Sequence, residues 1–250
     1  MKVISFNIRC TNDPNGHSIE ERAPRLGAII AEYAPDVIGF QEYRPKWELY
    51  WSAVINGDDY EEMNVDRGDG EGLVLLWRRD KFQALKKGYF WFADDPETPC
   101  ADWDEKYHKP RICAYAVLKE NSTGAVFTYM NTHYGFGKEC QLKSSELIYK
   151  KSQTLKSGPV VITGDFNMQP DSPGYKAMTG YFTDVNAVTD KLSMPTFHDY
   201  GRTEGKLIDY CFINDAVTPV SYKVITKTFD GKYPSDHYGI CVKLEINNIK

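Results

Sequence analysis

The chain has 250 residues, of which 42% are hydrophobic and 14% aromatic, enough to build the core of one large domain. Charged residues make up 26% and the formal net charge is −5, which argues mildly against a protein that grips long nucleic acid by its phosphates. No apolar run of about 18 residues is present to cross a membrane, and the basic pairs Arg78-Arg79, Lys86-Lys87 and Lys150-Lys151 read as solvated surface.

Residues 3–8 alternate and are β-rich, opening the chain directly on a strand. Residues 22–33 place apolar side chains at helical spacing, and Pro35 ends that helix. A second apolar strand covers 36–41, and 45–54 reads as a helix with Trp47, Tyr50 and Trp51 on one side. Residues 72–77 and 82–92 read as strands around an Asp80-Lys81 turn. Strands over 111–118 and 125–131 are joined by Asn121-Ser122-Thr123-Gly124, a hairpin turn. A helix over 140–156, a buried strand over 159–163 and a short helix over 171–178 follow. Strands over 208–213, 221–226 and 238–246 close the chain. Many strands with a few interspersed helices point to a single α/β domain spanning 1–250, two sheets packed face to face with helices outside.

The six cysteines show no CxxC spacing, which leaves a zinc site without support; Cys113, Cys211 and Cys241 sit in strand-like segments and are expected to be buried free thiols. No charged n-region and apolar h-region precede the first strand, so a cytoplasmic location is expected, although a secreted chain trimmed of its leader would look the same.

The polar residues fall where strands end. Asn7 lies in Ser5-Phe6-Asn7-Ile8, and Glu42 follows Val37-Ile38-Gly39-Phe40-Gln41. His133 closes Asn131-Thr132-His133, while Asp165 and Asn167 lie in Thr163-Gly164-Asp165-Phe166-Asn167. Asp209 sits in Leu207-Ile208-Asp209-Tyr210, and Asp236-His237 precede the last strand. One Asp or Asn after a strand usually makes a turn or a helix cap. Six strand ends supplying carboxylates, amides and two histidines suit phosphate-ester hydrolysis. That chemistry uses a hard divalent ion on oxygen ligands, a group that activates water, and donors around the non-bridging oxygens.

At these residues the sequence resembles the endonuclease/exonuclease/phosphatase (DNase I-like) superfamily, which includes DNase I, abasic-site endonucleases, sphingomyelinases, inositol polyphosphate 5-phosphatases and deadenylases. The resemblance runs from Phe6-Asn7 to Ser235-Asp236-His237 with the blocks in the family's order. Gly88-Tyr89-Phe90-Trp91-Phe92 with Pro96-Glu97, and Asp102-Trp103-Asp104 with Pro110-Arg111-Ile112-Cys113, look most like a small, mostly bacterial branch. The resemblance implies a four-layer α/β/β/α sandwich. It implies Mg²⁺ or Mn²⁺ held by Glu42 with Asn7 and Asp236 close by, and Asp165 orienting or deprotonating the attacking water. Asn167 would contact phosphate or a second metal. His237 would bind phosphate or act as acid/base with its tautomer fixed by Asp209, and His133 would hydrogen-bond the phosphate. Arg111 would be a phosphate clamp, on the match of its forked donors to phosphate oxygens, the alternative being a structural surface arginine.

Arg9 stands where abasic-site endonucleases carry an acidic ligand and His133 where they carry a tyrosine, which weakens a repair reading. Gln141 stands where an arginine of the branch is expected, and Glu71, in the compressed segment 67–72, is placed in the site. Trp91, Trp103, Tyr134 and Phe136 lie near the motifs and could stack on a base or sugar. Core packing is the commoner role for Trp91, whereas Tyr134 and Phe136, beside Gly135 and Gly137, read as a loop wall. The expected activity is a metal-dependent phosphoester hydrolase on a small phosphorylated substrate, in a chain favoured to be monomeric. The alternatives are a nuclease or deadenylase-like enzyme, with a basic rim on its cleft, and an inactive binding module on the same fold.

Overall fold

The computed structural model describes residues 1–155, 158–189 and 194–247. In chain order the elements are β1 (Lys2–Asn7), α1 (Ile19–Tyr33), β2 (Val37–Tyr43), a 3₁₀-helix (Pro45–Ala53), β3 (Tyr60–Asp66), β4 (Gly72–Arg78), β5 (Phe82–Trp91), β6 (Ile112–Glu120) and β7 (Val126–His133). They continue as α2 (Lys138–Leu155), β8 (Val160–Asp165), α3 (Pro173–Tyr181), β9 (Thr183–Asp184), α4 (Val185–Thr189), a 3₁₀ turn (Asp199–Gly201), β10 (Asp209–Ile213), β11 (Val217–Ile225) and β12 (Gly239–Ile246). The described residues form two six-stranded sheets, ordered β11-β12-β1-β2-β4-β3 and β5-β6-β7-β8-β10-β9. Among the described residues no helix is long and apolar enough to cross a membrane.

The layers follow from the pleat. Along β4, Leu73, Leu75 and Trp77 face the other sheet, while Val74 and Leu76 face α1 and the 3₁₀-helix. Burial on both faces is why this strand reads as an unbroken apolar run. In the second sheet Tyr129 and Val161 point to the inter-sheet core, and Met130, Val160 and Ile162 pack beneath α2 and α3. The result is the four-layer α/β/β/α sandwich.

Each sheet holds one parallel pair near its centre, β1 with β2 and β7 with β8. Parallel neighbours end at the same edge, so Asn7 and Glu42 leave the first sheet together and His133 and Asp165 leave the second together. A polar bridge fixes the two edges: Gln41 Nε2 donates to Asn131 Oδ1 at 2.7 Å, and Asn131 Nδ2 donates to the Phe40 carbonyl at 2.9 Å. Gly39 allows this approach, since a Cβ there would meet the Tyr129 hydroxyl and lie 2.7 Å from Asn131 Oδ1.

Several elements differ from the sequence reading. Helix α1 starts at Ile19 because Ser18 and Glu21 form a capping box ahead of the apolar stripe. Residues 45–53 form a 3₁₀-helix rather than an α-helix. Trp47, Tyr50 and Trp51 pack inward on one side, as expected, and Leu49 is 79% exposed. Strand β3 carries Glu61, Glu62 and Asp66 and alternates only weakly, as an edge strand facing solvent does. Strand β11 begins at Val217, with a bulge between Pro219 and Ser221 that accommodates the proline on an edge. Lys156, the expected last residue of the helix over 140–156, lies outside the described residues. Cys113, Cys211 and Cys241 are buried free thiols.

Candidate active site

At the shared edge, Asn7 at the end of β1 spans both sheets. Its Nδ2 donates to Glu42 Oε1 and to Asp165 Oδ2, each at 3.0 Å, while its Oδ1 accepts from Arg9 N at 3.0 Å. Asn7 thus turns its donor, not its oxygen, to the carboxylates. Glu42 has a φ of 63°, a left-handed conformation that a non-glycine residue adopts only where its surroundings impose it. Its Oε2 accepts from Cys10 N at 3.0 Å. The loop that supplies Arg9 and Cys10 is held by fully buried Arg22 of α1, which donates to the carbonyls of Ile8, Arg9, Thr11 and His17.

Two histidines converge on Asp165. His237 Nδ1 lies 2.9 Å from Asp209 Oδ2, and its Nε2 lies 3.7 Å from Asp165 Oδ2. His133 Nε2 lies 3.5 Å from the same oxygen, and its Nδ1 lies 3.7 Å from Glu71 Oε1. Asn167, also left-handed at φ 48°, donates its backbone N–H to Asp165 Oδ1 at 2.9 Å. Gln141 Nε2 donates to the Asn167 carbonyl at 2.6 Å and so supports that turn.

The two imidazoles are tuned in opposite directions. Burial alone would lower His237, but the charge and hydrogen bond of Asp209, with Asp165 and Asp236, raise it to about 10. Burial lowers His133 well below the usual value, and Arg111 adds to that, so it stays neutral. Asp165 is pushed up by burial and by Asp209, against the pull of His237. Glu42 is held low despite its burial by His133, Arg9, Asn7 and the Cys10 N–H. Because His133 is neutral, the part that persists at neutral pH comes from Arg9 and the N–H donors. This is a site with one cationic and one neutral imidazole around a proton-hungry carboxylate, a division of labour set by environment.

The residues present fit a hard divalent cation. Glu42, Glu71 and Asp236 are buried or nearly so. Asp236 is raised by burial and by Glu42's charge, although His237 opposes this, and Glu71 is raised by burial and by Glu42. That is excess buried negative charge, which a cation on oxygen ligands would relieve. Arg9 offsets part of it, its Nε 3.6 Å from Asp236 Oδ2 and its Nη1 4.0 Å from Glu42 Oε2.

All the residues expected in the site gather here: Asn7, Glu42, Arg111, His133, Asp165, Asn167, Asp209, Asp236 and His237. Most of them line a cavity of about 850 Å³. Glu71, also placed in the site from the sequence, sits beside His133, and Arg67 and Arg44 hold it at 2.6 and 3.4 Å. Sequence reasoning missed Arg67 and Arg44, and it read Arg9 only as a departure. For Arg67 a signal was present in the charged residues that alternate with glycines across 67–71. Phe136 lines the cavity, as expected of a loop wall. Tyr134 does not: it is fully buried in the core against Phe92 and Phe166, because the chain turns inward before Gly135. Trp91 packs against the inter-sheet core and donates to the Arg67 carbonyl.

The sequence pattern of the Endonuclease/Exonuclease/phosphatase family matches residues 4–117 and 141–237. The chain belongs to this family. A mannosyl-6-phosphatase from Bacteroides thetaiotaomicron superposes with a TM-score of 0.89 at 27% identity, covering 98% of this chain and 100% of that one. An endonuclease/exonuclease/phosphatase protein from Bacteroides vulgatus gives the same TM-score of 0.89 and identity of 27%, over 98% of each chain. Zebrafish TDP2 with a single-strand DNA product shares the fold at a TM-score of 0.78 and 20% identity, covering 98% of each chain. Exodeoxyribonuclease III of Haemophilus influenzae is 25% identical over 182 residues, 68% of this chain and 58% of that protein. The chain spans only 34% to 58% of the length of the curated relatives it matches. Members of the family are phosphoester hydrolases, both nucleases and phosphatases.

Proposed function

We propose that this chain is a phosphoester hydrolase dependent on Mg²⁺ or Mn²⁺, directing water onto the phosphorus of a small phosphorylated substrate. The observation that carries this reading is the pair of oppositely tuned histidines whose Nε2 atoms both face Asp165 Oδ2, at 3.5 and 3.7 Å. Asp165 accepts the proton of the attacking water. His237, cationic through Asp209, donates from Nε2 to the phosphate or the departing oxygen. Neutral His133, Asn167 and Arg111 hydrogen-bond the non-bridging oxygens. A divalent cation held by Glu42 and Asp236, with Asn7 beside it, would neutralise charge developing on the phosphate.

The cavity has room for a sugar phosphate, and likeness over the full length of a mannosyl-6-phosphatase supports that class. A second reading, a nuclease, is favoured by Lys106, Lys138 and Lys206, which line the cavity as exposed residues and supply a local basic rim despite the acidic balance. One plate decides. A generic monoester, a sugar phosphate, a generic diester, single-stranded RNA and double-stranded DNA are each run with Mg²⁺, with Mn²⁺ and with EDTA, beside His237→Ala. EDTA-sensitive turnover of the sugar phosphate that is lost in the variant is the expected result. Preference for RNA or DNA installs the second reading, and turnover untouched by EDTA or by His237→Ala sinks the first.

A further inference from the structure

Asp104 lies outside the catalytic cluster, yet it is almost fully buried, at 1% exposure. A buried carboxylate needs partners, and those of Asp104 come from two separate loops. Its Oδ1 accepts the backbone N–H groups of Lys106 and Tyr107, at 3.3 and 3.2 Å, within its own loop. The same oxygen accepts the N–H of Phe136, at 3.2 Å, from the loop between β7 and α2. Its Oδ2 accepts Arg111 Nε at 3.0 Å. Burial opposes ionisation of Asp104, but Arg111 and these N–H groups hold it below the usual carboxylate range.

The other end of Arg111 is unsatisfied. Its side chain is buried and lines the cavity, and its Nη1 has no hydrogen-bond partner. With Nε fixed by Asp104, Nη1 is left to an anion in the cleft. The Arg111 Cζ also lies 5.9 Å from the Phe136 ring centroid, and Lys106 Nζ lies 4.9 Å from it. Tyr107 packs edge-on against Phe136 at 5.0 Å. One carboxylate therefore fixes both a cation that lines the cavity and the aromatic wall beside it. Glu105 adds a second tie between the loops, accepting the N–H groups of Glu139 and Cys140 at the start of α2.

We propose that Asp104 is a positioning residue of this reaction, orienting the Arg111 guanidinium toward the substrate phosphate and holding the Phe136–Tyr107–Lys106 wall on which the rest of the substrate rests. The inference builds on the phosphoester reading above. Asp104→Asn keeps an oxygen acceptor for the three N–H groups but removes the charge that orients Arg111.

The test is a double-mutant cycle of Asp104→Asn with Arg111→Ala. It is followed by steady-state kinetics on whichever ester the wild type turns over, by calorimetric affinity for inorganic phosphate with metal present, and by thermal melting. Asp104→Asn alone is expected to raise KM and weaken phosphate binding about tenfold, with kcat changed much less. In the Arg111→Ala background it is expected to change neither. Equal losses in both backgrounds would mean a purely structural role and overturn the proposal, as would unchanged phosphate affinity or no phosphate binding by the wild type. If the Asn variant melts below assay temperature, Asp104→Ser, which retains a hydroxyl acceptor, takes its place in the same cycle. Absence of all turnover sinks the hydrolase reading, while the phosphate arm still decides this one.

Discussion

Asp165 and Asp209 are register partners across the antiparallel strands β8 and β10, so two buried carboxylates stand side by side in one sheet. His237 reconciles them, with Nδ1 2.9 Å from Asp209 and Nε2 3.7 Å from Asp165. Asp209 is the largest contributor to raising this imidazole to about 10. Asp209→Asn removes that charge and frees the Nδ1 tautomer. We expect kcat to fall about 10²- to 10⁴-fold, the range for a lost acid or base. The sign of the pH effect follows: His237 acts as the cation, so activity is lost as pH rises through its pKa. The variant lowers that pKa, and the alkaline limb moves to lower pH. Profiles of kcat/KM against pH check this, and an unmoved alkaline limb would refute the assignment.

The excess negative charge around Glu42 predicts how metal acts on stability. Mg²⁺ or Mn²⁺ at about 100 times its dissociation constant is expected to stabilise the fold by about 2.7 kcal/mol, and EDTA should reverse this. Glu42→Gln should abolish the metal-induced shift. Its metal-free form should be less stable than the wild type, because Glu42, despite its burial, is held low by His133, Arg9, Asn7 and the Cys10 N–H, so the fold favours its ionised carboxylate. Melting curves with and without metal test both halves. A variant that still responds fully to Mg²⁺ would remove Glu42 from the metal site.

What was legible in the sequence depended on how much of each signal was local. The apolar runs of β1, β2, β7 and β8 and the polar residues that end them are contiguous, so both the strands and most of the site could be read directly. The partners of Glu71 and Asp104 could not be read, since His133, Arg111 and Phe136 lie on other segments and only folding joins them. The aromatic loop shows the converse. Tyr134 and Phe136 look equivalent between their glycines, but one faces the core and the other the cleft, a difference set by the direction of the chain after β7. Strand β3 was missed because an edge strand with one wet face can be highly charged.

His198 supplies a pH dependence of stability apart from catalysis. It is buried between Tyr233 and Tyr238, and its Nδ1 accepts the Gly201 N–H at 3.0 Å. Burial, which outweighs the other influences, lowers it from 6.5 to about 4. Between these values the unfolded chain binds the proton and the folded one does not. Stability from this residue is therefore complete above pH 6.5 and drains away as pH falls toward 4, by roughly 2–3 kcal/mol in all. His198→Asn offers an oxygen where Nδ1 accepts and cannot titrate. Urea unfolding at pH 7.5 and 5 should show a shallower pH dependence for the variant, and parallel slopes would contradict the assignment.

The join between the sheets is the last point at which sequence, packing and site can be tested together. Gly39 of β2 sits under the Tyr129 hydroxyl and the Asn131 side chain, so an added methyl group collides with both. Gly39→Ala should cost about 1–3 kcal/mol for overpacking and a similar amount if the Gln41–Asn131 bond across the core is lost. The same displacement moves the β2 end that carries Glu42 away from the β8 end that carries Asp165, so kcat should fall as well. Tyr129→Phe deletes the hydroxyl that the methyl group meets. The double variant should recover part of the stability, measured by denaturant titration, even though Tyr129→Phe alone loses the 2.7 Å bond to Thr163. No recovery would show that the clash is with Asn131 rather than with Tyr129, and full activity in Gly39→Ala would show that the strand ends do not move with the join.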